Sequence, residues 1–176
     1  PATEDRIIDP IYSYGIAKHT AELYLKYFFN YYDLNYQILR YANVFGPRQP
    51  IYGEVGVIAI YTDRLIKGEP LIIFGDGKHQ RDYIYVHDVV EFTVRSMLFR
   101  ESSVYNVGRG FPVSVNEVFA EFQENDPKHK QAVQKQERYG EIGNFYCNVD
   151  CALSTGWEAQ FDLKKGIKNT IEYFRK

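Results

Sequence analysis

The sequence predicts an α/β fold. Segments with strand-like and helix-like patterns alternate along its 176 residues, which is the order that α/β proteins show. The length allows a sizeable core. The shares of hydrophobic residues (45%) and charged residues (25%) are those of an ordinary globular domain, so neither a disordered nor a fibrous chain is expected.

The chain is expected to begin with an irregular polar segment over residues 1–12, because prolines interrupt it. Ser13 is suited to cap a helix over residues 14–32. The apolar and aromatic residues of that helix form two stripes, which suits packing between layers or at a subunit interface. A strand over residues 36–41 follows, and it leads into a loop with the sequence ANVFGPR.

The later elements are predicted from periodicity and from their end signals. Ser114 and Glu117 have the spacing of a capping box. His87 and Asp88 are interpreted as the cap of a helix, and residues 123–136 as a polar surface segment. In chain order we expect a helix over 57–66, strands over 71–74 and 81–86, a helix over 89–99, a strand over 104–107 and helices over 114–122, 150–154 and 163–174.

Charge and composition argue against several function classes. The net charge is −2 and no basic run occurs, so no nucleic-acid footprint is visible. No apolar stretch approaches the roughly 20 residues of a spanning helix. Cys147 and Cys151 form a lone C-x3-C pair, which we interpret as reduced thiols without metal, so no metal site is expected. The expected location is the cytoplasm.

Tyr14 and Lys18 carry the most informative pattern. Four residues apart on a helix, they lie on one face, about 6 Å apart along the axis. A phenol has a pKa near 10, and a nearby ammonium lowers it. Such a pair can take a proton from a substrate hydroxyl while a nicotinamide accepts hydride. Spacing alone also fits an ordinary surface pair, since Tyr83 and His87 have the same separation.

Longer motifs in the same order strengthen the catalytic interpretation. The segments DPIYSYGIAKHTAE, LRYANVFGPRQ, FGDGKHQRDYIYVHDVV, YNVGRG, RYGEI and TGW with LKKGIKNTIEYF span nearly the whole chain. Together they resemble the extended short-chain dehydrogenase/reductase family, in particular its NAD-dependent sugar-nucleotide epimerases of the UDP-glucose 4-epimerase type.

The resemblance implies that the chain is the C-terminal part of an extended Rossmann-type enzyme, because no glycine-rich dinucleotide turn occurs in it. Residues 1–50 would end the NAD-binding domain and carry the helix with Tyr14 and Lys18. Residues 51–176 would mostly form the nucleotide-sugar domain, with about 82–107 returning to the Rossmann sheet. The resemblance also implies a homodimer formed through the helix over residues 14–32.

Roles follow from the resemblance residue by residue. Tyr14 would be the acid/base catalyst, and Lys18 would bind the nicotinamide ribose and tune Tyr14. Tyr41 and Val44 would lie near the nicotinamide end of NAD. The residues expected to bind the UDP-sugar are Asn43, Val57, Ile72, Phe74, Arg81, Tyr83, Arg138, Glu141 and Phe145.

The chemistry of these side chains suits such a ligand. Two separated guanidiniums, Arg81 and Arg138, match a diphosphate because each offers forked donors and a fixed charge. Apolar side chains with one aromatic match a flat base, and Glu141 can accept hydrogen bonds from ribose hydroxyls. The plainer alternatives are an ion pair of Arg81 with Asp82 or Asp88, and a core role for Ile72 and Phe74.

Three functions stay open at this stage. The first is an epimerase that oxidises C4 of a nucleotide-linked hexose and returns the hydride to the other face. The second is a dehydratase or decarboxylase of the same family, although Gly15 after Tyr14 favours the epimerase. The third is a binding module that is inactive by itself, because the chain lacks the glycine-rich turn that holds the cofactor.

Overall fold

The computed structural model describes residues 1–51, 55–126, 132–137 and 143–176. Arg138 and Glu141 therefore lie outside the described residues. The helices are α1 (Ser13–Tyr32), α2 (Val57–Lys67), α3 (Val86–Ser96), α4 (Val115–Asn125), α5 (Asp150–Ser154) and α6 (Leu163–Phe174). The strands are β1 (Gln37–Tyr41), β2 (Asn43–Phe45), β3 (Ile72–Phe74), β4 (Gln80–Arg81), β5 (Tyr83–Tyr85), β6 (Ser103–Val107), β7 (Val113–Ser114) and β8 (Val133–Lys135).

The strands pair mainly in parallel. β1 pairs with β6, β2 with β5 and β3 with β8, all in parallel, whereas β4 and β7 form an antiparallel pair. Parallel neighbours need crossover connections, and at least one helix lies between the two strands of each parallel pair. The predicted α/β class is therefore confirmed. The division into a domain over 1–50 and a domain over 51–176 stays a prediction.

Two apolar clusters form the core. The larger one lies where α2, α4 and α6 pack together beside β5, and Tyr61 and Phe122 meet edge to face in it with ring centres 5.5 Å apart. The smaller one joins α3 and β6 to the segment after α5, with Phe92 against Trp157. Because β2 and β5 are neighbours, Phe45 and Tyr85 reach the first cluster while Val44 and Ile84 reach the second.

Helix α1 is attached to this body without burying a side chain of its own. None of its residues is buried, and Phe28, Phe29 and Tyr32 are 42%, 37% and 66% exposed. Leu25 is half-buried. The helix begins at Ser13, and its N-cap residue is Tyr12, which makes no side-chain capping bond. The predicted Ser13 cap is therefore wrong, because Ser13 already has helical geometry.

Two further predictions at helix ends have different outcomes. The capping box of α4 is confirmed, since Ser114 Oγ accepts from Glu117 N at 3.2 Å and Ser114 N donates to Glu117 Oε2 at 2.8 Å. The interpretation of His87 and Asp88 as a cap is wrong. α3 begins at Val86, and Asp88 is buried in its first turn, where its carboxylate accepts from the N–H groups of residues 160 and 161.

Residues 123–136, which were expected to form a polar surface segment, include the end of one helix and one exposed strand. α4 continues into it as far as Asn125, and β8 lies at its far end, paired with β3. All three β8 residues are exposed, so the strand has no apolar alternation that would reveal it in the sequence.

Candidate functional site

The proposed acid/base pair lies in the first two turns of α1, open to solvent. Tyr14 is 69% exposed, and Lys18 is exposed on the same face of the helix. The Lys18 Nζ atom is 5.5 Å from the centre of the Tyr14 ring. The two groups are therefore close enough to act on one ligand, and most of the phenol surface is accessible to it.

A bidentate ion pair ties α1 to the sheet one turn beyond Lys18. Arg40 of β1 donates from Nε to Glu22 Oε1 at 2.8 Å and from Nη2 to Glu22 Oε2 at 2.7 Å. Arg40 Nη1 also donates to the carbonyl of Glu4 at 2.8 Å, and the Glu4 carboxylate accepts from Asn106 N at 2.9 Å. α1, β1, β6 and the segment before α1 are thus joined by one network, which sets the direction of the helix that carries Tyr14.

Sequence reasoning missed this network, although two signals were present. Arg40 is the one charged residue in the otherwise uncharged strand Gln37–Tyr41. Glu22 stands four residues after Lys18 and so lies one turn further along the helix. A charge in a partly buried strand needs a partner, and the nearest suitable helix presents one.

We expect Glu22→Gln to lower the free energy of unfolding by about 1.5–3 kcal/mol at neutral pH, the range for hydrogen bonds between charged groups. The hydrogen bond from Arg40 holds the pKa of Glu22 below its ordinary value of 4.5. The pair therefore stabilises fully above that value, and its contribution is lost as the pH falls through the lowered pKa.

Denaturant unfolding at several pH values checks the Glu22 prediction. The difference between wild type and Glu22→Gln should shrink as the pH falls below about 4. Glu91→Gln is a matched control, because Glu91 is an exposed residue of α3. A pH-independent difference, or an equal loss in the control variant, would contradict the prediction.

A cleft of about 540 Å³ opens between the start of α2, strand β3 and the β4–β5 region. Six of the nine residues predicted to bind substrate line it together: Asn43, Val57, Ile72, Phe74, Arg81 and Tyr83. These residues come from five elements separated along the chain. A purely local pattern would not bring them to one place, so the cleft is the candidate ligand site.

The cleft wall combines an apolar surface with cationic groups. Val57, Ile72 and Phe74 are half-buried, and Tyr83 is only 6% exposed. Burial raises the pKa of the Tyr83 phenol to about 12, so this phenol stays protonated at neutral pH and can donate a hydrogen bond. Cationic side chains in the same wall are Arg64, Arg81 and Lys135. Such a wall suits a flat aromatic base joined to an anionic group.

Asp82, between two cleft residues, points the other way and fixes them. Side chains alternate along extended backbone, so Arg81 and Tyr83 face the cleft while Asp82 is fully buried on the opposite side. Its carboxylate accepts from Arg109 N at 2.9 Å and Gly110 N at 3.0 Å. Burial raises the pKa of Asp82, and these backbone N–H groups oppose that rise.

The alternative prediction, an ion pair of Arg81 with Asp82 or Asp88, does not match the hydrogen bonds that these two carboxylates make. Asp82 and Asp88 are both buried and both accept from backbone N–H groups. Arg81 Nη1 donates to the carbonyls of Gln80 at 2.8 Å and Gly143 at 2.7 Å. These two bonds hold the Arg81 guanidinium against the backbone carbonyls of residues 80 and 143.

Phe145, Tyr41 and Val44 lie apart from the cleft wall. Phe145 is a bridge partner of Arg81, its N–H donates to the carbonyl of Gln80 at 3.1 Å, and its side chain is 38% exposed. The Tyr41 hydroxyl is 3.0 Å from Thr93 Oγ1, and Val44 packs against the smaller core cluster. Arg138 and Glu141 lie outside the described residues, so their roles stay predictions.

Among the residues that the structure describes, eight more line the cleft and were not predicted from the sequence. Ile60, Tyr61 and Arg64 follow Val57 at helical spacing, which could have revealed them once Val57 was chosen. Lys135 belongs to the exposed strand β8, which the sequence did not reveal. The complete set is Tyr12, Val55, Ile60, Tyr61, Arg64, His79, Val115 and Lys135.

The comparisons with known proteins identify the family of this chain. The sequence model of the NAD dependent epimerase/dehydratase family matches residues 1–108. The chain belongs to this family. The UDP-glucose 4-epimerase of Mycolicibacterium smegmatis is 34% identical over 177 residues, which cover 99% of this chain and 56% of that protein.

Solved structures extend the comparison. The UDP-glucose 4-epimerase of Thermotoga maritima, solved with UDP-glucose, is 44% identical with a TM-score of 0.94. The UDP-glucose 4-epimerase of Thermus thermophilus, solved with NAD, is 32% identical with a TM-score of 0.84. The alignments cover 99% and 95% of this chain but only 57% and 55% of those chains, so the chain spans little more than half the length of its relatives. The fold is therefore the corresponding part of a Rossmann-type epimerase fold.

NAD is the cofactor of this family, and the side chains present suit one end of it. The exposed phenol and ammonium of Tyr14 and Lys18 can contact a ribose and a nicotinamide. The Tyr41 hydroxyl already bonds Thr93, and Val44 packs against the core. These two side chains therefore offer fewer groups for contact with NAD. The sequence contains no G-x-G-x-x-G turn for the pyrophosphate. The fit is therefore to the nicotinamide end.

Two further observations concern metal-binding groups and helices that could span a membrane. Within the described ranges, no group of three or more His, Cys, Asp or Glu side chains is placed to hold a metal ion. Of the helices in these ranges, none combines the length and the apolar character that a membrane crossing requires.

Proposed function

We propose that the chain provides the acid/base pair and the nucleotide-sugar site of an NAD-dependent UDP-sugar 4-epimerase. The observation that carries this proposal is the cleft. It gathers Asn43, Val57, Ile72, Phe74, Arg81 and Tyr83 from distant parts of the chain, and one further wall residue, Tyr12, directly precedes the helix of Tyr14 and Lys18. We propose that a ligand filling the cleft extends past Tyr12 to the acid/base pair.

We propose the following placement of the ligand in the cleft. The uracil lies against Val57, Ile72 and Phe74, with the protonated Tyr83 phenol as a donor to a ring oxygen. Arg81 binds the diphosphate, because its fixed charge and forked donors match phosphate oxygens. Arg138 is proposed as the second cation at the diphosphate and Glu141 as the acceptor for the uridine ribose. Phe145, beside Arg81, is proposed to limit the space for the sugar.

In the proposed reaction, Tyr14 takes the proton from the sugar 4-hydroxyl and later returns it. Lys18 favours the ionised phenol through its charge and holds the nicotinamide ribose. NAD, when bound, would supply the reversible hydride acceptor for C4 of the sugar. Asn43 is proposed to contact the diphosphate region, and Tyr41 and Val44 are proposed to lie near the nicotinamide end of NAD. Both the proton and the hydride return to the sugar, so the net change is inversion at C4.

The exposed face of α1 supports a proposal about assembly. Tyr24, Tyr27 and Tyr31 are 61%, 44% and 73% exposed along the helix, together with Phe28. An aromatic surface of this kind favours a protein contact. We propose that α1 forms the contact between two copies of the protein, and sedimentation at increasing protein concentration would measure it.

The proposal predicts the effect of one cleft substitution on nucleotide binding. Arg81→Ala should weaken binding of UDP by about 1.5–3 kcal/mol, because a hydrogen bond to a charged group is lost. UDP-glucose should weaken equally, since the lost contact is to the diphosphate that both ligands share. Calorimetry with the 176-residue chain measures both affinities.

Arg100→Ala is the control for Arg81→Ala, because Arg100 is exposed and lies away from the cleft. It should leave both affinities unchanged. Failure of the wild-type chain to bind UDP would argue against the proposed function as a whole. Unchanged UDP affinity in Arg81→Ala would remove only the role of Arg81.

A further inference from the structure

Tyr12 joins the nucleotide cleft to the acid/base helix. Among the cleft residues that the structure describes, it alone comes from the segment that leads into α1. It is the N-cap residue of α1, and its carbonyl accepts the helical bond from Ile16 N at 3.0 Å. Tyr14 follows two residues later, so Tyr12 connects the cleft to the proposed acid/base residue along the chain.

The chemistry of Tyr12 differs from that of the cationic cleft residues. The cleft wall carries the cations Arg64, Arg81 and Lys135, which suit phosphate oxygens. Tyr12 is neutral and aromatic, and its side chain is 54% exposed. A pyranose has a C–H face that packs on an aromatic ring and hydroxyl groups at its rim that remain hydrated or bond to polar groups. An aromatic with an apolar body and a polar tip meets both requirements.

We infer, resting on the proposed function, that Tyr12 is a specificity-determining residue that packs its ring against the hexose of the nucleotide sugar. The hexose must lie between the diphosphate at Arg81 and the phenol of Tyr14, because the diphosphate links it to the base and the reaction occurs at its C4. Tyr12 lies along that path. Its contact is with the sugar alone, whereas the contacts of Val57, Ile72, Phe74 and Arg81 are with the nucleotide.

Substitution of Tyr12 should change the affinity for UDP-glucose but not the affinity for UDP, whereas substitution of a nucleotide contact should change both. Wild-type chain should bind UDP-glucose more tightly than UDP, because the hexose adds its contact with Tyr12. Tyr12→Ala should remove about five- to tenfold of the affinity for UDP-glucose, the size of one aromatic contact, and should leave the affinity for UDP within about twofold. Tyr12→Phe should retain the preference, because the ring face makes the contact.

The experiment is calorimetry of the 176-residue chain with UDP and UDP-glucose, using wild type, Tyr12→Ala, Tyr12→Phe and Tyr173→Ala. Tyr173 is the matched control, since it is an exposed tyrosine of α6 that does not line the cleft. Its variant should match wild type with both ligands. Circular dichroism of each variant checks that α1 is still formed, which the exposure of Tyr12 leads us to expect.

Several results would overturn the inference while leaving the nucleotide site intact. These are equal wild-type affinities for UDP and UDP-glucose, an equal loss for both ligands in Tyr12→Ala, or loss of the preference in Tyr12→Phe. A wild-type chain that binds neither ligand would instead overturn the proposed function, and the inference with it. The two failures are therefore distinguishable in one set of titrations.

Discussion

In a chimera that carries residues 1–176 in place of the corresponding part of the Thermotoga maritima enzyme, Tyr14→Phe is expected to lower kcat by about 10²–10⁴-fold. The substitution removes the hydroxyl that takes and returns the proton but keeps the ring. Binding of UDP-glucose should change little, because the cleft residues are untouched. Such a chimera is reasonable because the two chains are 44% identical with a TM-score of 0.94.

Steady-state kinetics with UDP-glucose, together with product identification by NMR, would measure this effect. Tyr173→Phe in α6 is the control and should keep the activity of the parent chimera, because Tyr173 is exposed and lies outside the proposed site. A Tyr14→Phe chimera that retained most of its activity would remove Tyr14 as the acid/base group. A product that has lost water, rather than an inverted sugar, would favour the dehydratase alternative.

Asp82→Ala is expected to lower the free energy of unfolding by about 3–5 kcal/mol, because several buried N–H groups lose their acceptor at once. The carboxylate is fully buried and accepts from Arg109, Gly110 and Cys147. The turn around it is also tight, since a Cβ on Gly108 would overlap Asp82 Oδ2. The three segments that meet there would separate.

Urea unfolding of the 176-residue chain would measure the loss in Asp82→Ala. Asp9→Ala is the control, because Asp9 is exposed and lies before α1. UDP binding should weaken in Asp82→Ala as well, since Arg81 and Tyr83 lose the anchor between them. A loss of less than about 1 kcal/mol would mean that water replaces the carboxylate at this position.

Sequence patterns predicted most of the helices and the longer strands, because apolar periodicity records which face of an element is buried. Through motif resemblance they predicted six residues that line the cleft, while the roles of Tyr14 and Lys18 stay predictions. They did not predict β8, whose three residues are all exposed. Nor did they predict the start of α3, since the buried Asp88 bonds to backbone more than seventy residues away.

The same physical reason explains the other omissions. Asp82 acts through backbone groups of residues 109 and 110 that are distant in the chain, and residue spacing carries no information about such contacts. Tyr12 lines the cleft only because the segment before α1 folds back toward Asn43 and the other cleft residues. A local pattern cannot report where a loop returns in space, whereas a helical stripe or a capping box is complete within a few residues.

The large sequence separation of these contacts also affects folding of the chain during its synthesis. The bond from Tyr36 N to Ser102 Oγ spans 66 positions, and the bond from Cys147 N to Asp82 spans 65. At a synthesis rate of about 5–20 residues per second, each early partner waits several seconds for its late one. During that interval the early partners are synthesised but unpaired, so the contacts of Asp82 are complete only after residue 147 has left the ribosome. Chaperone protection during synthesis would therefore benefit this chain more than a helical bundle of the same length.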